Sequence, residues 1–243
     1  MTVKGRLHSW DLSTGVDGPG TRFVAFTAGC PLRCLYCANP DTWRMRNGAA
    51  TTSDAVLADV ARYRRFITTA GGGFTVSGGE PLLQPAFTGA LLAGARDLGL
   101  HTALDTSGFL GARADDDLLD ACGLVLLDIK SWDRALYRRL TGRDLHPTVA
   151  FARRLADRGT PVWVRFVLVP GLTDDPENVG GVARFAAGLG NVERVDVLPF
   201  HRLAAHKYRD LGLRFPLADV QPPDAATVAR AVDRFRAAGL LAV

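Results

Sequence analysis

Gly29-Cys30-Pro31-Leu32-Arg33-Cys34-Leu35-Tyr36-Cys37-Ala38-Asn39-Pro40 places three of the chain's four cysteines within eight positions, in the spacing C-x3-C-x2-C. It follows directly on the strand-like run Thr21-Arg22-Phe23-Val24-Ala25-Phe26-Thr27-Ala28. Three thiols on one short loop can converge on one point. A structural zinc takes four ligands, usually two pairs from separate segments, whereas a cubane iron–sulfur cluster can take three cysteines and leave one iron open. An open position is where chemistry can occur.

Outward from this loop the chain alternates strand and helix signals. Thr51-Thr52-Ser53-Asp54 offers hydroxyl and carboxylate caps before Val56, Leu57, Val60 and Phe66-Ile67 at helical spacing. Gly71-Gly72-Gly73 breaks that helix, and Phe74-Thr75-Val76-Ser77 runs into the turn Gly78-Gly79-Glu80-Pro81. Strands are then expected at His101–Gly108, Leu124–Lys130, Val162–Pro170 and Val195–His201, with helices between them and a last helix over Ala225–Ala238. Their apolar, β-branched runs imply strands buried on both faces, hence a parallel sheet. Six βα units counted from Arg22 fall short of the eight that close a full barrel. The expectation is an α/β fold, a partial (β/α)6 TIM-like barrel, in one domain over 1–243 with a core of roughly 15–240. Its open side would admit a substrate larger than a metabolite.

At 243 residues, 47% hydrophobic and 22% charged, the chain can bury a full core. The net charge of +4 is dispersed without a run of like charges, so a solvated basic surface is expected and no nucleic-acid partner. Met1–His8 lacks the apolar core of a signal peptide and no run is long enough to span a membrane, so a cytoplasmic location with no membrane partner is expected. A reducing compartment turns clustered cysteines toward metal. Cys122 stands alone and reads as an inert buried thiol. Of the 29 cationic side chains only Lys4, Lys130 and Lys207 are lysines, so each lysine departs from the chain's habit.

Polar residues gather at the C-terminal strand ends: Asp105, Asp128, Lys130, Arg165 and His201. In a barrel they would ring the mouth where active sites sit. Each has a plainer reading. Asp105 and Asp128 could be helix caps, Lys130 a snorkelling surface residue, and His201 a satisfied polar group. Two converging carboxylates would also suit a hard cation.

Cys30, Cys34 and Cys37 with the aromatic Tyr36 resemble the cluster loop of the radical S-adenosylmethionine (radical SAM) superfamily. Asp17-Gly18-Pro19-Gly20-Thr21-Arg22 after His8-Ser9, the Gly78-Gly79-Glu80 turn, Leu104-Asp105-Thr106, Val169-Pro170-Gly171 and Leu198-Pro199-Phe200-His201 resemble the glycyl-radical-enzyme activases of that superfamily over nearly the whole chain. With no cysteine between Cys37 and Cys122, the insert-free type that acts on pyruvate formate-lyase matches best.

The resemblance implies a 4Fe–4S cluster on Cys30, Cys34 and Cys37, and S-adenosylmethionine (SAM) held by Tyr36, Cys37, Ala38, Gly78, Gly79, Glu80, Asp128, Ile129, Lys130 and His201. It implies a monovalent cation, Na+ or K+, near Asp105, Thr106, Leu126 and Asp128. Asp17 and Arg165 would meet the glycyl peptide of pyruvate formate-lyase, and flavodoxin or a similar reductant would supply the electron to a monomeric enzyme. Ala38 departs from the histidine usual after the third cysteine, which bears on one polar contact in the substrate cleft. Two alternatives stay open on the residues alone: an activase of another glycyl-radical enzyme or a radical enzyme for a small molecule, and a non-catalytic zinc module on the three cysteines and a fourth ligand.

Overall fold

The computed structural model describes residues 2–243, which group into two compact units, 2–31 with 42–126, and 32–41 with 127–243. In the first unit β1 (Lys4–Thr14), β2 (Thr21–Thr27), β3 (Ala49–Thr52), β4 (Gly73–Gly78) and β5 (His101–Thr106) lie in the order β3-β1-β2-β4-β5. The pairs β2–β4 and β4–β5 are parallel, with Arg22 opposite Gly73 and Gly73 opposite His101, while β1 pairs antiparallel with β2 and β3. Phe23, Val24, Ala25, Phe74, Val76, Ala103 and Leu104 are fully buried, as expected of strands covered on both faces. Helix α1 (Ser53–Thr69) is capped by the Thr52 hydroxyl on the Ala55 N–H and buries Val56, Val60 and Ile67; Phe66 of the same predicted apolar stripe points outward. Helix α2 (Pro85–Asp97) buries Phe87, Leu91, Leu92 and Ala95, and the short α3 (Asp116–Asp120) leads to β6 (Leu124–Asp128).

The D-G-P-G-x-R turn acquires its physical reason here. Arg22 is fully buried, its Nε donating to Thr75 Oγ1 at 3.0 Å, Nη2 to the Phe74 carbonyl at 2.6 Å and Nη1 meeting His101 Nδ1 at 3.0 Å. Burial lowers its pKa to about 10 against the opposing charge of Asp17, so it stays cationic at neutral pH. The glycine turn packs beside it. A Cβ on Gly72 would lie 1.7 Å from the Thr21 carbonyl oxygen, so only glycine lets the two turns approach.

In the second unit α4 (Arg134–Thr141) and α5 (His146–Asp157) precede β7 (Val162–Leu168), α6 (Pro176–Ala187) separates it from β8 (Val192–Pro199), and α7 (Ala205–Asp210) and α8 (Ala225–Ala237) follow. Strands β7 and β8 pair in parallel, with Arg165 opposite Asp196, and the C-terminal residues add hydrogen bonds from Val195 to Leu241 and from Val197 to Val243. All six strands read from Arg22 onward are present. One expectation needs correction: β7 buries Val162, Val164, Phe166 and Leu168 on one face only. Its other face, Trp163, Arg165 and Val167, is half-buried. A charged residue can sit in this strand because that face is not sealed.

Candidate active site

Backbone hydrogen bonds fasten the cysteine loop at its start and at its middle. In the first unit the Gly29 N–H donates to the Thr42 carbonyl at 2.7 Å and Cys30 N–H to Trp43 at 3.1 Å. In the second unit Arg33 and Leu35 donate at 2.8 and 2.9 Å to the carbonyls of Thr141 and Leu140, the last residues of α4. Those carbonyls have no acceptor role left inside the helix, so the loop serves as its C-terminal partner. Cys37 N–H turns back to the Cys34 carbonyl at 3.1 Å, and Tyr208 Oη of α7 donates to the Cys37 carbonyl at 3.2 Å.

Cys34 is buried, Cys30 and Cys37 half-buried and Ala38 exposed. Burial pushes the Cys34 thiol up to about 12, the Lys130 ammonium acting in the opposite sense. Clustered soft thiols suit iron, which binds the thiolate. Among the described residues no three His, Cys, Asp or Glu side chains stand together as ligands of a single ion. A cubane is ligated one thiolate per iron, so its cysteines need not share one.

Beneath this loop, also in the second unit, Lys130 is 8% exposed; its Nζ donates to Asp128 Oδ2 at 2.9 Å and lies 5.7 Å from the centroid of the Tyr36 ring. Burial alone would lower the lysine pKa, but Asp128 foremost outweighs it and holds the ammonium well above its ordinary range. The snorkelling reading of Lys130 is therefore replaced by a buried, paired cation. Tyr36 Oη is buried with no hydrogen-bond partner, and burial drives its phenol far up. An orphaned hydroxyl beside a buried ammonium fits a site built to receive a polar group. Ile129 N–H bonds the Arg165 carbonyl at 3.1 Å, which ties the two strands that carry Asp128 and Arg165. His201 is exposed just past β8, its Nδ1 accepting from Leu203 N–H at 3.4 Å.

In the first unit the Gly78-Gly79-Glu80 turn docks on the strand end before Cys30. Gly79 N–H donates to the Thr27 carbonyl and Glu80 N–H to the Gly29 carbonyl, both at 2.9 Å. A Cβ on Gly79 would stand 2.4 Å from the Gly29 oxygen, so in this structure the bare backbone is demanded by the cysteine-loop end itself. Glu80 is 1% exposed and accepts from Leu82 N–H at 3.2 Å, Thr106 Oγ1 at 2.6 Å, and both the N–H and hydroxyl of Ser107. Burial raises its carboxyl and these donors oppose the rise. Its side chain thus welds the turn to the end of β5. Asp105 Oδ2 accepts from Ser77 Oγ at 2.6 Å. The cap reading of Asp105 and Asp128 is answered too, because α3 and α4 are capped by Asp115 and Asp133.

Asp17 lies in the turn before β2, its Oδ2 accepting from Ser13 Oγ at 2.6 Å and its carbonyl from Thr75 Oγ1 at 2.7 Å. The sequence reading missed Ser77, Ser107 and Tyr208, which are ordinary residue types with no periodic signal. Lys207, marked out in the sequence by its rarity but without a role, is placed here: Nζ donates to Asn39 Oδ1 at 2.8 Å and pairs with Asp41 at 3.2 Å.

Residues 24–180 match the Radical SAM superfamily. The pyruvate formate-lyase 1-activating enzyme of Escherichia coli K12 is 41% identical over 233 residues, covering 95% of this chain and 94% of that protein. The pyruvate formate-lyase-activating enzyme of Staphylococcus aureus USA300 is 43% identical over 229 residues, covering 91% of each. Among solved structures, a domain of a pyruvate-formate lyase-activating enzyme from Bacteroides vulgatus superposes with a TM-score of 0.58 at 26% identity, covering 71% of this chain and 98% of that one.

Fold and cysteine loop together define a radical SAM enzyme. The chain belongs, within that superfamily, to the pyruvate formate-lyase-activating enzymes. Membership carries the fold class, an α/β core of the partial (β/α)6 kind, and the family's cofactors, a 4Fe–4S cluster and SAM.

Proposed function

We propose that this chain installs a glycyl radical on pyruvate formate-lyase, with Cys30, Cys34 and Cys37 holding the cluster. When bound, the cluster and SAM supply a one-electron reductive cleavage that yields methionine and a 5′-deoxyadenosyl radical, which takes a Cα hydrogen from glycine. The observation that carries the reading is the buried Lys130–Asp128 pair under Tyr36, on the segment that also bears Cys34 and Cys37. Two motifs far apart in sequence there form one polar floor.

In this reading the Lys130 ammonium holds the SAM carboxylate, a point charge suited to it. Gly78, Gly79 and Glu80 present backbone to the amino group, with Tyr36, Cys37, Ala38, Ile129 and His201 completing the surround. Asp105 and Asp128, with the Thr106 and Leu126 carbonyls, take a monovalent cation. Arg165 and Asp17 contact the partner's glycyl loop. Glycine suits the task because its bare Cα admits close approach. Flavodoxin or a similar protein supplies the electron to a cytoplasmic monomer acting as one domain. No helix among the described residues is long and apolar enough to cross a membrane.

The test is metal analysis after anaerobic reconstitution of wild type and Cys34→Ala. Iron and sulfide near four each per chain, lost in the variant, support the assignment. Stoichiometric zinc in their place would refute it.

A further inference from the structure

The segment around α7 has two unlike faces. Inward, Tyr208 is 1% exposed and bonds the Cys37 carbonyl, while Lys207 grips Asn39 and Asp41. Outward, Leu203 is 75% exposed, Leu211 39% and Leu213 41%. Single exposed leucines are normal, but three within the segment 203–213 concentrate apolar surface there. The same stretch, 201–214, carries exposed Arg202, Arg209 and Arg214, with Asp210 its one acidic side chain. An apolar centre with a charged rim is the anatomy of a protein interface.

The chemistry supplies a reason for a partner here. Reductive cleavage consumes one electron per turnover, and the one cysteine outside the loop, Cys122, is buried with its Sγ donating to the Leu124 carbonyl at 3.0 Å. The electron must come from another molecule, which has to approach the cluster closely. Tyr208 reaches from α7 to the Cys37 carbonyl, so one helix and one tyrosine side chain stand between the outer side of α7 and the backbone of Cys37.

We infer that the outer face of the α7 segment is the docking surface for the reductant, an acidic protein carrying a low-potential one-electron carrier near its surface. This rests on the assignment of the cluster to Cys37. The cationic rim selects the occupant: it steers an anionic partner inward and repels a basic one. Brief redox encounters bury little area, which a three-leucine patch suits. One electron leaves the reduced carrier and enters the cluster, with no bond made or broken at this surface.

The experiment uses the reconstituted full chain and flavodoxin hydroquinone as the probe, following cluster bleaching by anaerobic stopped flow. Wild type, Leu203→Ser and Arg209→Glu are compared, and each is also reduced by a small photoreduced flavin that needs no docking surface. Arg209→Glu should slow reduction by flavodoxin about tenfold at low salt and flatten its salt dependence. Leu203→Ser should slow it at every salt concentration, while iron content and reduction by the small flavin stay at wild-type values. Wild-type rates with flavodoxin in both variants would overturn the proposal. Slowing with both reductants would overturn it as well, by assigning the segment to the cluster instead of a partner. Reduction that is unaltered alongside weaker glycyl-radical formation would transfer the surface to pyruvate formate-lyase. A wild-type chain that holds no iron would bring down the functional assignment and this inference with it.

Discussion

Lys130 Nζ donates to Asp128 Oδ2 at 2.9 Å while standing 5.7 Å from the centre of the Tyr36 ring, so an ion pair from the end of β6 forms the floor under the cysteine loop. Replacing it by Lys130→Ala should weaken SAM binding about 10- to 100-fold, the worth of a charge-assisted hydrogen bond. Cluster assembly should survive. Equilibrium dialysis of SAM against the reconstituted variant measures the first and iron analysis the second. Unchanged SAM affinity would remove Lys130 from the site.

Glu80 is buried and serves four donors on two segments. Glu80→Ala strands those donors in the interior, and the apo-protein should lose about 3 kcal/mol of stability or more by urea denaturation. Glu80→Gln keeps acceptor capacity at one oxygen and should lose less. Equal losses in the two variants would show that the hydrogen bonds are not what the side chain contributes.

Gly79→Ala tests the turn against the loop. Its new methyl would meet the Gly29 oxygen, 2.4 Å from the Cβ position, and a backbone oxygen cannot swing aside. The strand end before Cys30 must shift, so the variant should fold but retain well under half the wild-type iron after gel filtration. Full iron retention would show that the loop tolerates the displacement.

The cysteine loop, the Gly-Gly-Glu turn and six strands were legible in the sequence because each carries a local signature: dense thiols, diglycine, or apolar β-branched runs. Strand β1 was not, since none of its residues is fully buried and its pattern offers no periodic apolar face. Helix α4 was missed for a related reason: in eight residues its buried face is Tyr137, Leu140 and Thr141 among arginines. The roles of Arg22 and Lys207 depend on partners 53 and 168 positions distant, which no spacing rule reaches. The Gly-Gly-Glu motif puts Glu80 on the ligand side, whereas the packing commits its carboxylate to Thr106 and Ser107.

Cys122 should resist alkylation in the native protein. Burial pushes its thiol up to about 12 from 9.0. Folding therefore holds the proton on: the contribution to stability is complete below the unfolded value and is lost as pH rises from 9 toward 12. Iodoacetamide at pH 8 followed by peptide mapping should leave Cys122 unmodified until urea is added. Rapid labelling of the folded chain would show the site to be open.

The most direct measurement is electron paramagnetic resonance of pyruvate formate-lyase after anaerobic incubation with the reconstituted chain, SAM and a reductant. One hydrogen remains on the glycine Cα after abstraction, so the account predicts an organic radical signal split in two by that proton, absent without SAM and absent with Cys34→Ala. A fully loaded, SAM-cleaving chain that leaves pyruvate formate-lyase without this signal would contradict it.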